Sequence, residues 1–121
     1  MAKPNKCISV EEAKVLHDNW VGSRAPVIQQ SRRGREDCRE FVYSVAELQE
    51  FLDYVRDESQ KQGIDNPGVR IYFGAYTGES GDQATIFLSP TDGGGSNSGN
   101  NYNLEPFNFG QGGDPPTNYN P

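Results

Sequence analysis

His17 is the only histidine in the chain, and it shares the chain with two cysteines, Cys7 and Cys38. These are the side chains best suited to nucleophilic, proton-transfer or metal chemistry near neutral pH. Three such residues are too few for a four-ligand Cys/His zinc site. His17 follows Leu16 and precedes Asp18, where helical spacing places it beside or at the border of Ala13 and Trp20. That fits a helix-surface or core-edge histidine, and no GxSxG sequence accompanies it as a nucleophile motif. The spacing does not favour a Cys–His pair with either thiol. Among the carboxylates, Glu11 and Glu12 suit the first turn of a helix, Glu36 and Asp37 lie among arginines, and Asp82 and Asp92 lie in expected loops. A hydrolytic acid pair needs a cleft and a raised pKa, and neither is legible here. Gly78-Glu79-Ser80-Gly81 has no following lysine, and no helix opens after Gly93-Gly94-Gly95, so neither run meets the requirements of a phosphate loop. The sequence therefore assigns no catalytic residue, no metal ligand and no cofactor.

The densest functional signal is basic. Arg24, Arg32, Arg33, Arg35 and Arg39 are five of the eleven Lys and Arg residues and fall within 16 positions. Guanidinium forks match phosphate and carboxylate geometry. The segment is thus a candidate for contact with an anion or an acidic partner surface, including the acidic helix face of another copy. Glu36, Asp37 and Glu40 lie among the arginines and equally suit a self-paired, solvated loop. Nucleic acid is disfavoured, because 17 acidic residues outnumber the basic ones and leave a net charge of −6. Tyr72, Tyr76 and Phe87 can stack bases but equally suit covered sheet.

Five elements are expected to position these residues. The first helix runs from Val10 to Val21, with Ser9 and Glu12 as a capping box, Ala13, Leu16 and Trp20 as its apolar stripe, and Gly22 as its stop. Ala25-Pro26-Val27-Ile28 reads as a short extended piece, and 31–35 as an exposed turn. A strand fits Arg39 to Tyr43. A second helix starts at Ser44, with Glu47 completing its capping box; Val45, Leu48, Leu52 and Val55 form its stripe, with Phe51 alongside, and Gly63 ends it. After the Asn66-Pro67-Gly68 turn, a strand at 69–76 alternates Val69, Ile71, Phe73 and Ala75 against Arg70, Tyr72 and Tyr76. Residues 77–82 read as a hairpin loop and 84–89 as the returning strand, ended by Pro90.

Composition changes after residue 89. Leu, Ile, Val and Phe together number 24 of 121 residues, and only Leu104, Phe107 and Phe109 lie beyond that point. Seven of the 14 glycines and five of the eight prolines do. Residues 93–99 look like a flexible linker. Behind them, Tyr102, Leu104, Phe107, Phe109 and Tyr119 suggest a docking arm. Three readings stay open: an arm packed on its own sheet edge, a disordered tail, and an arm that binds a neighbouring chain. The expected division is a folded domain at 1–89 and a Gly/Asn/Pro-rich arm at 90–121.

The run Asn66-Pro67-Gly68-Val69-Arg70-Ile71-Tyr72-Phe73-Gly74-Ala75-Tyr76, followed by Asn101-Tyr102-Asn103-Leu104 and Phe107-Asn108-Phe109-Gly110, resembles short uncharacterised bacterial proteins of the Bacteroidota type. The resemblance implies a bacterial cytoplasmic setting and assigns no activity. The N-terminus has basic residues without an apolar stretch behind them, and no run approaches a membrane span, which also points to the cytoplasm and to reduced thiols. The expected fold is α+β: a small, mostly antiparallel sheet of about three strands packed with two helices, plus the C-terminal arm. The expected function is non-enzymatic protein interaction or self-assembly through the sheet surface and arm. A small anion-binding or regulatory module using Arg24–Arg39 is the alternative, and an enzyme of unknown type comes third.

Overall fold

A computed structural model describes residues 2–78 and 81–121. Glu79 and Ser80, in the expected hairpin loop, lie outside the described residues, as does Met1. The fold is α+β, with two helices and two small antiparallel sheets among the described residues: α1 (Val10–Ser31), β1 (Phe41–Val42), α2 (Val45–Lys61), β2 (Gly68–Ala75), β3 (Ala84–Thr91) and β4 (Gln111–Gly112). The chain divides into two compact units, residues 1–38 with 113–121, and residues 39–112. The expected boundary at 89–90 falls inside β3.

In the first unit, Ser9 and Glu12 form the expected capping box: Glu12 N–H donates to Ser9 Oγ at 3.0 Å. α1 does not stop at Gly22, and Ala25–Ile28 is helical rather than extended. Gly22 keeps an ordinary helical backbone, and a Cβ there would meet nothing within 4 Å. Pro26 has no N–H to give the carbonyl of residue 22, four positions back, so the helix loses one hydrogen bond but continues. The stop comes where the backbone turns left-handed, at Arg33 (φ 59°) and Gly34 (φ 87°). Gly34 N–H donates to Gln29 O at 2.9 Å and Arg33 N–H to Gln30 O at 3.2 Å, which is a Schellman closure. α1 buries no residue. Leu16 and Val15 are exposed, and the less exposed side carries Ala13, His17 and Trp20, so Leu16 does not belong to the packed stripe.

The second unit holds the core. Ser44 and Glu47 cap α2 reciprocally, and Ile64 N–H donates to Ser59 O at 2.9 Å beyond a left-handed Gly63. The buried stripe of α2 is Phe51, Val55 and Ser59, with Leu48 half-buried. Leu52 is 41% exposed and Val45 stands in solvent, so the expected stripe was rotated by about one residue. The helix turns toward the bulkier Phe51, which stacks on Phe107 with ring centroids 4.8 Å apart. Phe51, Val55 and Leu88 form the core, with Tyr43, Leu48, Val69, Ile86 and Phe107 against it.

β2 and β3 pair antiparallel over eight residues, with Tyr72 opposite Phe87 and Ile71 opposite Leu88. β3 runs through Pro90 to Thr91 instead of ending at Pro90. One hydrogen bond sets the parity of the ladder: Tyr76 N–H donates to Gln83 O at 3.0 Å. Counting back by twos, the even residues of β2 bond to β3, and Pro90, opposite Val69, turns its missing N–H away from β2. Its carbonyl accepts from Asn101 N–H at 2.8 Å. Leu88 likewise exchanges bonds with Phe107 on that outer edge, at 2.8 and 2.9 Å. The arm has taken the place the 39–43 strand was expected to fill. What remains of that strand, Phe41–Val42, pairs instead with Gln111–Gly112 in a separate ribbon.

Candidate functional site

The segment after β3 is tied down by polar bonds. Asp92 Oδ1 accepts from Gly99 N–H at 2.9 Å, Thr91 Oγ1–H donates to Gly93 O at 2.7 Å, and Gly95 N–H donates to Ser98 Oγ at 3.2 Å. Arg70, on β2, reaches into this loop: its guanidinium donates to Asn100 Oδ1 at 2.6 Å, Ser98 O at 2.8 Å and Ser96 O at 3.2 Å. Asn100 Nδ2 in turn donates to Tyr72 Oη at 2.8 Å. That bond, with Arg70 nearby, holds the Tyr72 phenol below its ordinary pKa. The expected linker is thus a hydrogen-bonded loop clasped by Arg70.

The arm residues divide by position. Leu104 is buried, and Phe107 packs between Phe51 and Tyr43. Tyr102 is 87% and Phe109 90% exposed, so two of the four expected anchors at 102–109 pack inward and two stand out. The reversal at Phe109 has a cause: its φ is 58°, and the next residue, Gly110, passes so close to Tyr43 that a Cβ there would lie 2.8 Å from the ring. Tyr119 lies in the first unit, where its N–H donates to His17 Nε2 at 3.5 Å.

The remaining face of β2 is open. Val69 reaches the core, but Ile71 is 63% and Phe73 84% exposed on the same side of the hairpin. Among the described residues no strand pairs with the outer edge of β2. The ladder parity turns the N–H and C=O groups of Val69, Ile71, Phe73 and Ala75 toward that edge. Alternation identified these residues as one face, but period-two spacing carries no information on how far a helix covers that face.

The arginine segment is put to local use. Arg32 is buried, and its guanidinium donates to the carbonyls of Glu36 and Arg35 and lies 3.9 Å from Asp37. Arg35 Nε–H donates to Arg32 O at 3.2 Å. Arg24 is exposed and donates to Ser23 Oγ, Arg33 is exposed at the left-handed turn, and half-buried Arg39 belongs to the second unit. His17 lies 3.5 Å from Asp18, whose carboxyl is held below its ordinary pKa by Lys14 at 2.8 Å. Cys7 and Cys38 are not joined in a disulfide. Among the described residues, no group of three His, Cys, Asp or Glu is placed to hold a metal ion, and no helix is long and apolar enough to cross a membrane. Comparison with protein-family models, curated proteins and solved structures finds no match for the chain.

Proposed function

We propose that this chain is a non-enzymatic interaction and self-assembly protein that adds a strand along the free edge of β2. The observation that supports this is an eight-residue edge strand with Ile71 and Phe73 standing in solvent. Natural edges are blunted by charge, proline or a covering segment. Residues 68–75 contain one charge, Arg70, and its guanidinium is turned into the 96–100 loop. The strand is therefore uncharged along its open side.

A second copy is the partner that fits this edge. The outward-facing groups belong to the odd residues, so an antiparallel two-fold pair can centre on Tyr72 and overlap residues 69–75. It places Ile71 opposite Phe73 and Val69 opposite Ala75 in both directions. Such a contact is self-complementary, as an isologous interface requires, and pairs aromatic with β-branched side chains on one face. Exposed Tyr102 and Phe109 are the arm's own contribution to an interaction surface. The proposed setting is the bacterial cytoplasm, in line with the resemblance. Anion binding by the arginine segment has thinner support, because Arg32 is spent on its own loop.

Sedimentation velocity over a concentration series tests the proposal. The wild type is expected to show a reversible monomer–dimer shift. Phe73→Lys is expected to weaken it at least tenfold with an unchanged melting temperature. A wild type that stays monomeric to millimolar concentration, or a Phe73→Lys variant that dimerises as well as wild type, refutes it.

A further inference from the structure

A second surface, independent of the β2 edge, lies between α2 and the arm. Glu47, Glu50, Phe51, Tyr54, Glu105, Pro106 and Phe107 line a cleft of about 420 Å³. That is within the range of about 300–1,000 Å³ of side-chain and small-molecule sites. Its floor and walls are aromatic. Phe51 and Phe107 are stacked, and the Phe51 and Tyr54 rings lie 6.2 Å apart at 36°. The two walls are fastened together by Tyr54 Oη, which accepts from Glu105 N–H at 3.0 Å. The cleft is therefore held open by core packing and by a side chain tied to the arm backbone.

Its charge is one-sided. Three of the seven lining residues are glutamates, and none is basic. Glu47, Glu50 and Glu105 make no ion pair among the described residues. The basic residues of α2 are engaged elsewhere, Arg56 with Asp53 and Asp57 and Lys61 with Glu58. Carboxylates around an aromatic floor attract a cation that can also lie flat on a ring. Guanidinium meets both conditions, since it stacks on aromatic faces and forks to carboxylates, whereas ammonium is a compact, strongly hydrated point charge. We infer that this cleft recognises an arginine side chain presented by an extended basic segment of another protein. The arginine plane lies against the Tyr54 and Phe107 walls, and Glu50 and Glu105 take its N–H groups. The arm thereby acquires a binding role, because Glu105–Phe107 form one wall of the cleft.

The test uses the full chain, below the concentration at which it self-associates, and a synthetic peptide of five Gly-Arg repeats. Its counterpart carries citrulline, a neutral near-isostere, in place of arginine. Binding is read by calorimetry and by amide chemical shifts. The arginine peptide is expected to bind at least tenfold more tightly than the citrulline peptide, with the largest shifts at Tyr54 and 105–107. The double variant Glu50→Gln/Glu105→Gln is expected to bind at least tenfold more weakly at an unchanged melting temperature. Asp57→Asn/Glu58→Gln, further along α2, is expected to bind as wild type does. Equal binding of the citrulline peptide, shifts centred elsewhere, or no binding at millimolar peptide overturns the inference. So does a cleft that takes a second copy, seen as self-association lost in Arg33→Ala and no peptide bound.

Discussion

Phe107 is the residue whose removal distinguishes an arm that belongs to the fold from one that only decorates it. Its ring stacks on Phe51 at 4.8 Å and 15° and meets Tyr43 at 5.1 Å, while its backbone exchanges two hydrogen bonds with Leu88. Truncating a fully buried Phe costs about 3–5 kcal/mol, and the partial burial of Phe107 reduces that to about 2–4 for Phe107→Ala. The stacking geometry is included in that figure, at about 0.5–1.5 kcal/mol. Phe109, two residues on and 90% exposed, offers a matched control at which Phe109→Ala stays within about 0.5 kcal/mol of wild type. A domain with so few buried apolar side chains sits toward the low end of the usual 5–15 kcal/mol, so Phe107→Ala removes a large fraction of its stability. Urea denaturation followed by far-ultraviolet circular dichroism measures both variants, with the slope of the transition checked for a change in the surface exposed. A loss below about 1 kcal/mol at Phe107, or equal losses at the two positions, refutes the reasoning, since a buried Phe that costs no more than a surface one is not packed.

Two further outcomes follow from buried polar groups. Ser59 is fully buried, and its hydroxyl finds no partner among the described residues, so Ser59→Ala is expected to stabilise by about 0.5–2 kcal/mol; an unchanged or lower denaturation midpoint counts against it. Burial pushes the Tyr43 phenol up, against a smaller opposing pull from the Gly110 backbone. The unfolded chain then loses this proton before the folded one does. The contribution is intact below the unfolded value near 10 and is lost as pH rises through the folded value. Tyr43→Phe is accordingly expected to lose less thermal stability than wild type between pH 9 and 11 (about one unit either side of the ordinary phenol value), and parallel melting curves sink that reading.

Local rules carried much of this fold, and long-range packing carried what they missed. Ser9 with Glu12 and Ser44 with Glu47 were legible because a cap is satisfied within four residues. The β2–β3 pairing was legible from alternation and turn chemistry. The end of α1 was not, because Gly22 and Pro26 are both ordinary stop signals, and only the later left-handed pair at 33–34 shows that the helix passes them. The rotation of α2 was hidden because Leu52 and Phe51 are adjacent and both apolar; the choice is made by Phe107, 56 positions away from Phe51. The partner of the 39–43 strand was illegible for the same reason, since the arm had to be placed on β3 first. At the candidate site, Arg70 and Asn100 gave no local sign of their pairing. The three glutamates of the cleft read as solvated helix and loop residues until the fold brought them around one aromatic floor.

The position of Pro90 constrains how the hairpin zips. Side chains alternate with a period of two, so a frame error of one residue would move a whole strand's set to the other face of such a ribbon. Sliding β3 by one position would swing the proline nitrogen toward β2, where the ladder requires a donor and this residue has none. The same slip would invert Leu88 and Ile86 to the face opposite α2. Misalignment is thus penalised twice, once at the end of the ribbon farthest from its turn and once along its core face. Frame fidelity in this hairpin resides in an imino acid at its open end, and replacing Pro90 with a residue that carries an N–H would restore a donor to the slipped alignment.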